Sequence, residues 1–290
     1  MIEVSKNYVP MIEEVYAQSS VTIDLQASKE LIKAGSTAKS VLYPVVDVDG
    51  LGDYSRNSGY ADGSINAEYK EVTFDYDRGR KFQIDEMDDQ ENFNKLLGAA
   101  TAKFIKTRVA PEDDAYTFAK LASVPGISIA AEGGITYDTG AAVLEALMAA
   151  STKMDDDEVP FEDRILYITP TLLTMAQNVD TTKSKDILNS FSIIKKTPQR
   201  RFYTAINLQD GKTEGEEAGH YVKAEGGKNI NFMVVHKDAA LKITKHVAND
   251  VIPPKNNPNA DASIVKYRKY GLAEVRKDMA AGIYLSYQPE

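Results

Sequence analysis

The histidines and one aspartate run are the side chains in this sequence best suited to metal chemistry. The three histidines, His220, His236 and His246, have no spacing typical of a metal site, and the chain contains no cysteine that could complete one. We therefore interpret His236, which lies in a strand-like run, as a structural residue. The run Asp155–Asp157 lacks the alternating ligands, central glycine and distal glutamate of a calcium loop, so we interpret it as a solvated turn.

Two further motifs have a superficial likeness to binding or catalytic sites. The segment Glu225–Asn229 resembles part of a phosphate loop, but Val222 stands where the motif needs its first glycine, which favours a glycine turn. Glu112, Asp113 and Asp114 could act as paired carboxylates in acid–base chemistry, although charges on the solvent face of a helix are the favoured interpretation. No Gly-x-Ser-x-Gly elbow occurs. The sequence therefore predicts no catalytic residue, cofactor or metal, and no enzyme.

The composition describes an acidic chain with enough apolar residues for a buried core. It has 290 residues, 43% of them hydrophobic, and a net charge of −9, which disfavours binding to nucleic acid phosphates or to an anionic membrane surface. The absence of cysteine suits a reducing compartment. No run approaches the roughly 18 apolar residues that a membrane span needs, and the first residues show no signal peptide. We expect a soluble protein that is made and used inside a cell.

Period-two alternation between Val72 and Ile84 predicts a long strand with two unlike faces. At about 3.3 Å per residue such a strand would span roughly 40 Å. A second β-like run, Ser40–Asp49, precedes it, and a turn-rich segment at 50–63 lies between them. The pattern predicts a long hairpin. A lone two-stranded ribbon is marginally stable, so we expect it to be supported by another surface, most simply a neighbouring copy.

Residues 93–123 change to helical spacing and predict a helix roughly 45 Å long. Pro111 is expected to kink or split it near Thr107, because proline removes one hydrogen bond and crowds the preceding turn. Two ordinary helices are the alternative interpretation.

Residues 125–250 have the pattern of a separate α/β module. We predict a helix over Ala141–Ala150, capped by Asp138 and ending before the aspartate run. A buried strand, Arg164–Ile168, is followed by a helix that begins at Thr169 and Pro170. Other predicted strands are Phe202–Leu208, Phe232–His236, Ile264–Tyr270, Leu272–Val275 and Gly282–Tyr287, with a proline-rich loop over Val251–Ala262.

Six stretches, taken in order along the chain, carry a likeness to a known family. They are Asp53–Arg56, Asp77–Asp85, Lys106–Tyr116, Arg164–Pro170, Tyr267–Tyr270 and Gly282–Tyr284. In this order they resemble the major capsid proteins of tailed double-stranded DNA bacteriophages, and the likeness covers nearly the whole chain. The resemblance implies an α+β chain with the Hong Kong 97-like capsid fold.

The resemblance also implies a division of the chain into five parts. These are an N-terminal arm (1–39), an extended loop formed by a long β-hairpin (40–86), a peripheral domain with a long spine helix (87–124), an α/β axial domain (125–250) and the return strands of the peripheral domain (251–290).

The function implied by the resemblance is that of an icosahedral capsid subunit. Its expected partners are copies of itself in pentamers and hexamers, a separate scaffolding protein, a portal protein at one vertex and packaged double-stranded DNA contacted non-specifically, with no membrane partner. We expect it in the virion, after assembly in the bacterial host cytoplasm. The alternatives are an encapsulin-like compartment shell on the same fold and an acidic soluble enzyme of unrelated fold.

Two features of some relatives are not matched. About ninety residues precede the long helix, so we expect no fused scaffolding segment. Although the hairpin offers Lys70 and Lys81, no constellation for covalent crosslinks between subunits can be matched.

The expected contacts between subunits lie on and near the hairpin, at Arg56, Asp77, Arg78, Arg80 and Lys81. Arg78 and Arg80 share a strand face with aromatic residues, and a guanidinium pressed against apolar surface needs a carboxylate or carbonyl partner. We expect that partner on a neighbouring subunit; exposure of both arginines to solvent is the alternative.

Overall fold

The computed structural model describes residues 19–27, 33–35, 39–56, 59–85, 87, 96–179 and 181–289. Within these residues the chain forms four β-sheets and five α-helices, together with short 3-10 turns at Ile23–Leu25, Gln199–Arg201, Pro254–Asn256 and Lys277–Gly282. None of the helices in this part of the chain is long and apolar enough to cross a membrane.

A hairpin begins at the predicted run from Ser40, but its second strand is Ile65–Thr73, which shares only Val72 and Thr73 with the predicted strand Val72–Ile84. Strand β1 (Lys33–Ala34), strand β2 (Ser40–Val48) and strand β3 (Ile65–Thr73) form a three-stranded antiparallel sheet in that order. The run predicted as one strand over Val72–Ile84 breaks after Thr73 and resumes as strand β4, Tyr76–Asp85.

Strand β4 pairs with the C-terminal part of the chain instead of with β2, so the prediction of a single long strand over Val72–Ile84 was wrong. It joins strand β11 (Ala240–Ile252) and strand β12 (Ala262–Val275) in an antiparallel sheet of order β11-β12-β4. Phe74 at the break and Tyr76 after it are both buried, so the two-residue alternation continues through the break. The sequence pattern therefore gives no sign that one strand ends and another begins there.

The long strands β11 and β12 form most of this second sheet. They pair over nearly their full lengths, from Ala240 opposite Val275 to Ile252 opposite Ile264. The predicted proline-rich loop is largely the connection between them. The two strands predicted before and after Gly271 form one continuous strand.

The long helix is continuous but changes type at the position where disturbance was expected. Helix α1 (Leu96–Phe104) leads into a π-helical segment, Ile105–Val109, and then into helix α2, Ala110–Ala122. Pro111 lies in the first turn of α2. A wider π turn just before it accommodates a residue that has no N–H and crowds the preceding turn. Residues 93–95 of the predicted helix lie outside the described residues.

A five-stranded sheet lies in the region predicted as an α/β module, 125–250, but one of its strands, Ile283–Tyr287, comes from the predicted return strands at 251–290. Its strands are β5 (Ser128–Ile129), β6 (Arg164–Ile168), β7 (Ile193–Lys196), β10 (Ile230–His236) and β13 (Ile283–Tyr287), in the order β5-β13-β10-β6-β7. Its helices are α3 (Gly140–Asp156), α4 (Pro170–Gln177) and α5 (Thr181–Leu188). Strands β8 (Ile206–Gln209) and β9 (His220–Lys223) form a separate hairpin.

The two faces of the five-stranded sheet are covered by different elements. Leu166 and Val234 belong to a core shared with α3 and α4, whereas Tyr167 and Met233 belong to a core shared with Phe118 of helix α2. Successive strand residues point to opposite faces, so one set of strands serves both cores. The C-terminal half of the long helix is therefore joined firmly to this sheet.

Several local predictions in the module need correction. Thr139, not Asp138, caps helix α3, since its hydroxyl accepts a hydrogen bond from the amide of Ala142. The helix continues into the aspartate run, to Asp156, and Asp155 forms an ion pair with the buried guanidinium of Arg164. The predicted strand from Phe202 forms only at β8; Phe202 itself packs into the core after a 3-10 turn.

Candidate functional site

The carboxylates of Glu112, Asp113 and Asp114 are buried, with 8%, 2% and 0% of each residue exposed. The prediction that they lie on the solvent face of a helix was wrong. Consecutive helical residues point about 100° apart, so three buried neighbours mean that the helix is covered on most sides. Buried carboxylates are costly unless they are paired, and each of these three has a different set of partners.

Asp113 binds the lysines of the long-stranded sheet. Nζ of Lys242 on β11 lies 2.6 Å from Oδ2, and Nζ of Lys269 on β12 lies 2.6 Å from Oδ1. Burial raises the pKa of the Asp113 carboxyl, but the two ammonium groups outweigh it and hold that pKa well below its ordinary value. Burial also lowers the pKa of Lys269. This site fixes the long helix to the sheet.

Asp114 binds the N-terminal segment at residues 19–22. Its Oδ1 accepts hydrogen bonds from the hydroxyls of Ser20 and Thr22, each at 2.7 Å, and its Oδ2 accepts one from the amide of Val21 at 3.1 Å. Nη1 of Arg201 lies 2.9 Å from Oδ2 and also donates to the carbonyl of Ser19. Asp114 therefore joins this segment, the long helix and the module after it.

Glu112 connects the long helix to β4 and to the β8–β9 hairpin. Nε of Arg78 donates to Oε1 at 2.7 Å, the hydroxyl of Tyr76 donates to the same oxygen at 3.2 Å, and Nδ1 of His220 lies 3.6 Å from Oε2. Burial raises the pKa of the Glu112 carboxyl, but His220 and Arg78 outweigh it and lower the pKa overall.

We refer to Glu112, Asp113 and Asp114 with these partners as the carboxylate hub. Each carboxylate is engaged by at least one cation, so none is placed to take up and release a proton in acid–base chemistry. In the part of the chain that the structure describes, no group of three or more His, Cys, Asp or Glu side chains could hold a metal ion. The hub joins the long helix to the sheet of β4, β11 and β12, to the segment at residues 19–22, to Arg201 of the α/β module and to the β8–β9 hairpin. Sequence reasoning missed it because its partners are far apart in the chain.

Arg78 and Arg80 have partners within their own chain. Nη2 of Arg78 donates to the carbonyl of Gln209 at 2.7 Å, in addition to its ion pair with Glu112. Nη2 of Arg80, which is exposed, donates to the carbonyl of Glu217 at 2.8 Å. Each guanidinium thus meets an oxygen, as expected, but on the same subunit. Their contact with a neighbouring subunit stays a prediction.

The other three predicted contact residues lie apart from one another on the surface. Arg56 is exposed near the hairpin tip, and Asp77 forms an exposed ion pair with Arg268 at 2.6 Å. Lys81 is exposed on β4 opposite Lys266 of β12. The structure does not bring the five predicted residues together into one site.

The hairpin exposes an apolar surface that sequence reasoning did not identify. Its large exposed side chains, which we call the tip patch, are Val46, Val48, Leu51, Tyr54, Tyr60, Ile65 and Tyr69. Between Pro44 and Tyr69 the hairpin also carries five acidic residues and one basic residue. Clustered exposed apolar side chains rimmed by charge are typical of a protein interaction surface.

A groove of about 510 Å³ lies between β4, β12 and the long helix. Its apolar lining includes Phe82, Phe104 and Tyr267, which pack edge to face in a chain of aromatic contacts. The exposed cations Arg80, Lys103 and Arg108 also line it. The groove therefore has the opposite charge character to the hairpin.

Comparison with known proteins identifies the fold through structure alone. No protein-family model matches the chain, and no curated protein matches it. The mature capsid of bacteriophage PhiM1 is similar with a TM-score of 0.63 at 11% identity, covering 93% of this chain and 87% of that one. The capsid of cyanophage P-SCSP1u is similar with a TM-score of 0.59 at 16% identity, covering 94% and 89%. The chain has a phage capsid fold.

The capsid fold is shared almost end to end. A virus-like particle from Pyrococcus furiosus is also similar, with a TM-score of 0.53 at 11% identity, covering 95% of both chains. The α+β, Hong Kong 97-like fold class expected from the sequence is thus confirmed. The correspondence of the long helix to the spine helix and of residues 40–86 to the extended loop stays a prediction.

Proposed function

We propose that this protein is the major structural subunit of an icosahedral bacteriophage capsid and that it has no enzymatic activity. The observation that carries the proposal is the structural match of nearly the whole chain to solved phage capsids. The carboxylate hub supports the proposal, because its charged groups form ion pairs that join parts of the fold.

The proposed assembly places the tip patch of one subunit in the groove of a neighbour. The tip patch is apolar with acidic residues around it, and the groove is apolar with cations around it. Complementary charge favours correct register and fast encounter between such surfaces. Repetition of this contact by symmetry would close pentamers and hexamers from individually modest interfaces.

Packaged double-stranded DNA, a portal protein and a separate scaffolding protein are the further partners proposed for the shell. With a net charge of −9, the subunit should contact DNA sparsely and without sequence preference. We place the assembled protein in the virion and its assembly in the host cytoplasm.

Disulfide trapping tests the assembly directly, because the chain contains no cysteine of its own. A chain carrying both Tyr54→Cys and Lys103→Cys should form subunit ladders on non-reducing gels once particles have assembled. The matched control pairs Tyr54→Cys with Glu145→Cys, which is exposed on α3 outside the groove, and should give no ladder. Particles that form normally without a ladder would contradict the proposed contact between the tip patch and the groove, but not the capsid function. If light scattering shows that the protein stays monomeric or dimeric under assembly conditions with its partners, the proposed capsid function would be contradicted.

A compartment shell that carries protein cargo is the second candidate, favoured by the likeness to the Pyrococcus virus-like particle. The contents of purified particles separate the two. Nuclease-protected double-stranded DNA supports the capsid, and a co-purifying protein cargo without DNA supports the compartment.

A further inference from the structure

The two edges of the β2–β3 hairpin are protected in different ways. On the β2 side, strand β1 pairs with Val41 and Leu42, and Pro44 further along has no N–H to offer. On the β3 side, no strand in the described part of the chain pairs with Ile65–Thr73, and most residues of that strand are exposed. An open strand edge of this kind can accept a strand from another chain.

The backbone groups on the open edge of β3 belong to its odd-numbered residues. Just before β3, the carbonyl of Ser64 accepts a hydrogen bond from the amide of Asp49 at 3.1 Å. Just after it, the amide of Phe74 donates to the carbonyl of Lys39 at 2.8 Å. Alternate residues of an antiparallel strand bond to opposite sides, so the even-numbered residues of β3 bond to β2 and the odd-numbered residues direct their N–H and C=O groups outward. Tyr69 is the middle residue of this odd-numbered set.

The sequence around Tyr69 is complementary to itself. Glu68 and Lys70 flank it, so an antiparallel pair of β3 strands centred on Tyr69 places each Glu68 opposite the partner's Lys70. Both ion pairs fall at positions without backbone hydrogen bonds, where the Cα atoms of opposite residues approach to about 4.5 Å and their side chains are closest. A pair of strands centred on Glu68 or on Lys70 would put like charges opposite each other. The charges therefore favour the register centred on Tyr69.

We propose that two copies of this chain join their β3 strands edge to edge, antiparallel, about a two-fold axis at Tyr69. Such a contact is isologous, since both copies contribute the same residues. The side chains of Val46, Ile65 and Tyr69 share one face of the hairpin, whereas Glu68 and Lys70 lie on the other face. Pairing through the edge therefore leaves the tip patch of each copy available to contact a different surface.

The pairing of β3 strands differs in symmetry from the proposed contact between the tip patch and the groove. That contact joins two different surfaces and can close a ring, whereas the β3 contact joins two copies and stops. The β3 pairing does not depend on the proposed capsid function, so its test needs no assembled particles.

Disulfide trapping of the purified full chain tests the pairing, because every crosslink must come from an introduced cysteine. Tyr69→Cys should give a linked dimer on non-reducing gels after oxidation in air, since residues paired at the axis have Cα atoms about 5.5 Å apart, within the range of a disulfide. Ala67→Cys is the matched control, which is also exposed and on the same face. The two copies of residue 67 would lie four residues apart, roughly 13 Å, which is too far for a disulfide.

Charge reversal in the Tyr69→Cys variant tests the register. Lys70→Glu places a glutamate opposite Glu68 of the partner copy on both sides of the axis and should reduce the yield of linked dimer about tenfold. Adding Glu68→Lys exchanges the two charges, restores the opposite pairs and should return the yield to its original level. The proposal is overturned if Tyr69→Cys forms no dimer or if Ala67→Cys forms as much. A yield that is unaffected by Lys70→Glu, or that the exchange does not restore, also overturns it.

Discussion

Nζ of Lys269 lies 2.6 Å from Oδ1 of Asp113, and each of the two side chains is only 4% exposed. A second lysine, Lys242, approaches the other carboxylate oxygen at the same distance. One buried carboxylate thus serves two ammonium groups that come from neighbouring strands. This arrangement makes the middle of the carboxylate hub highly sensitive to the loss of a single charge.

Replacing Asp113 by asparagine should lower the free energy of unfolding of the subunit by about 3–5 kcal/mol, because two buried lysines lose their counter-ion. Chemical denaturation followed by circular dichroism measures this difference. Asp77→Asn is the matched control, since its ion pair with Arg268 is about half exposed and should contribute less than about 1 kcal/mol. Equal losses in the two variants would contradict the assignment.

The same carboxylate predicts the acid sensitivity of the fold. The pKa of Asp113 is lower in the folded protein than in the unfolded chain, so its stabilising contribution is complete above the ordinary aspartate pKa of about 4. That contribution is lost as the pH falls from there through the lower folded pKa. The free energy of unfolding, measured with urea across this pH range, should fall more steeply with decreasing pH for the unmodified chain than for Asp113→Asn. Parallel curves would show that Asp113 titrates alike in both states.

Removing the charge of Asp114 should loosen the segment around Ser20–Thr22. Asp114→Asn keeps the size of the side chain, but its amide nitrogen cannot accept the hydrogen bonds that one carboxylate oxygen now receives. Limited proteolysis should then cut residues 19–27 at least about tenfold faster, since each lost charged hydrogen bond is worth more than 1 kcal/mol. Asp24→Asn, which breaks an ion pair with Lys195 whose side chains are 30% and 31% exposed, should leave the rate nearly unchanged. An unchanged rate in Asp114→Asn would mean that the segment is held by other contacts.

Arg78→Ala and Arg80→Ala should differ in their effect on the stability of the subunit, although the sequence predicted the same kind of contact for both arginines. Arg78→Ala leaves Glu112 buried without its arginine and should destabilise the subunit itself by about 2–5 kcal/mol. Arg80 is exposed and binds one carbonyl, so Arg80→Ala should change the unfolding free energy by less than about 1 kcal/mol. Thermal unfolding of unassembled subunits separates the two variants. Equal stability of both would remove the special role of the Arg78–Glu112 pair.

The tip patch should matter for assembly and not for folding. Leu51→Ser combined with Tyr60→Ser removes two side chains that are fully or largely exposed, so subunit stability should change by less than about 0.5 kcal/mol. If these side chains are buried against a neighbour, particle yield should fall sharply, as judged by sedimentation and electron microscopy. The matched control, Phe161→Ser, removes an exposed apolar side chain outside the hairpin. Normal particles from the double variant would contradict the role of the patch.

Local sequence patterns predicted those elements whose burial depends on immediate neighbours in the chain. The run Arg164–Ile168 is apolar apart from its first residue, is followed by Thr169 and Pro170, and forms a buried strand that leads into a helix. Phe232–His236 lies within another fully buried strand. The capsid fold class was implied by the resemblance that six such stretches, in their order along the chain, bear to a known family.

Tertiary structure alone decided which strands pair and which charges are buried. The two-residue period runs unbroken through Phe74 and Tyr76, so it could not show that β3 and β4 belong to different sheets. Glu112, Asp113 and Asp114 have a sequence typical of a solvated helix face. Their cations, from Arg78 to Lys269, lie 34 to 156 residues away along the chain. A charge is stable in the interior only when its partner arrives there too, and that depends on the whole fold.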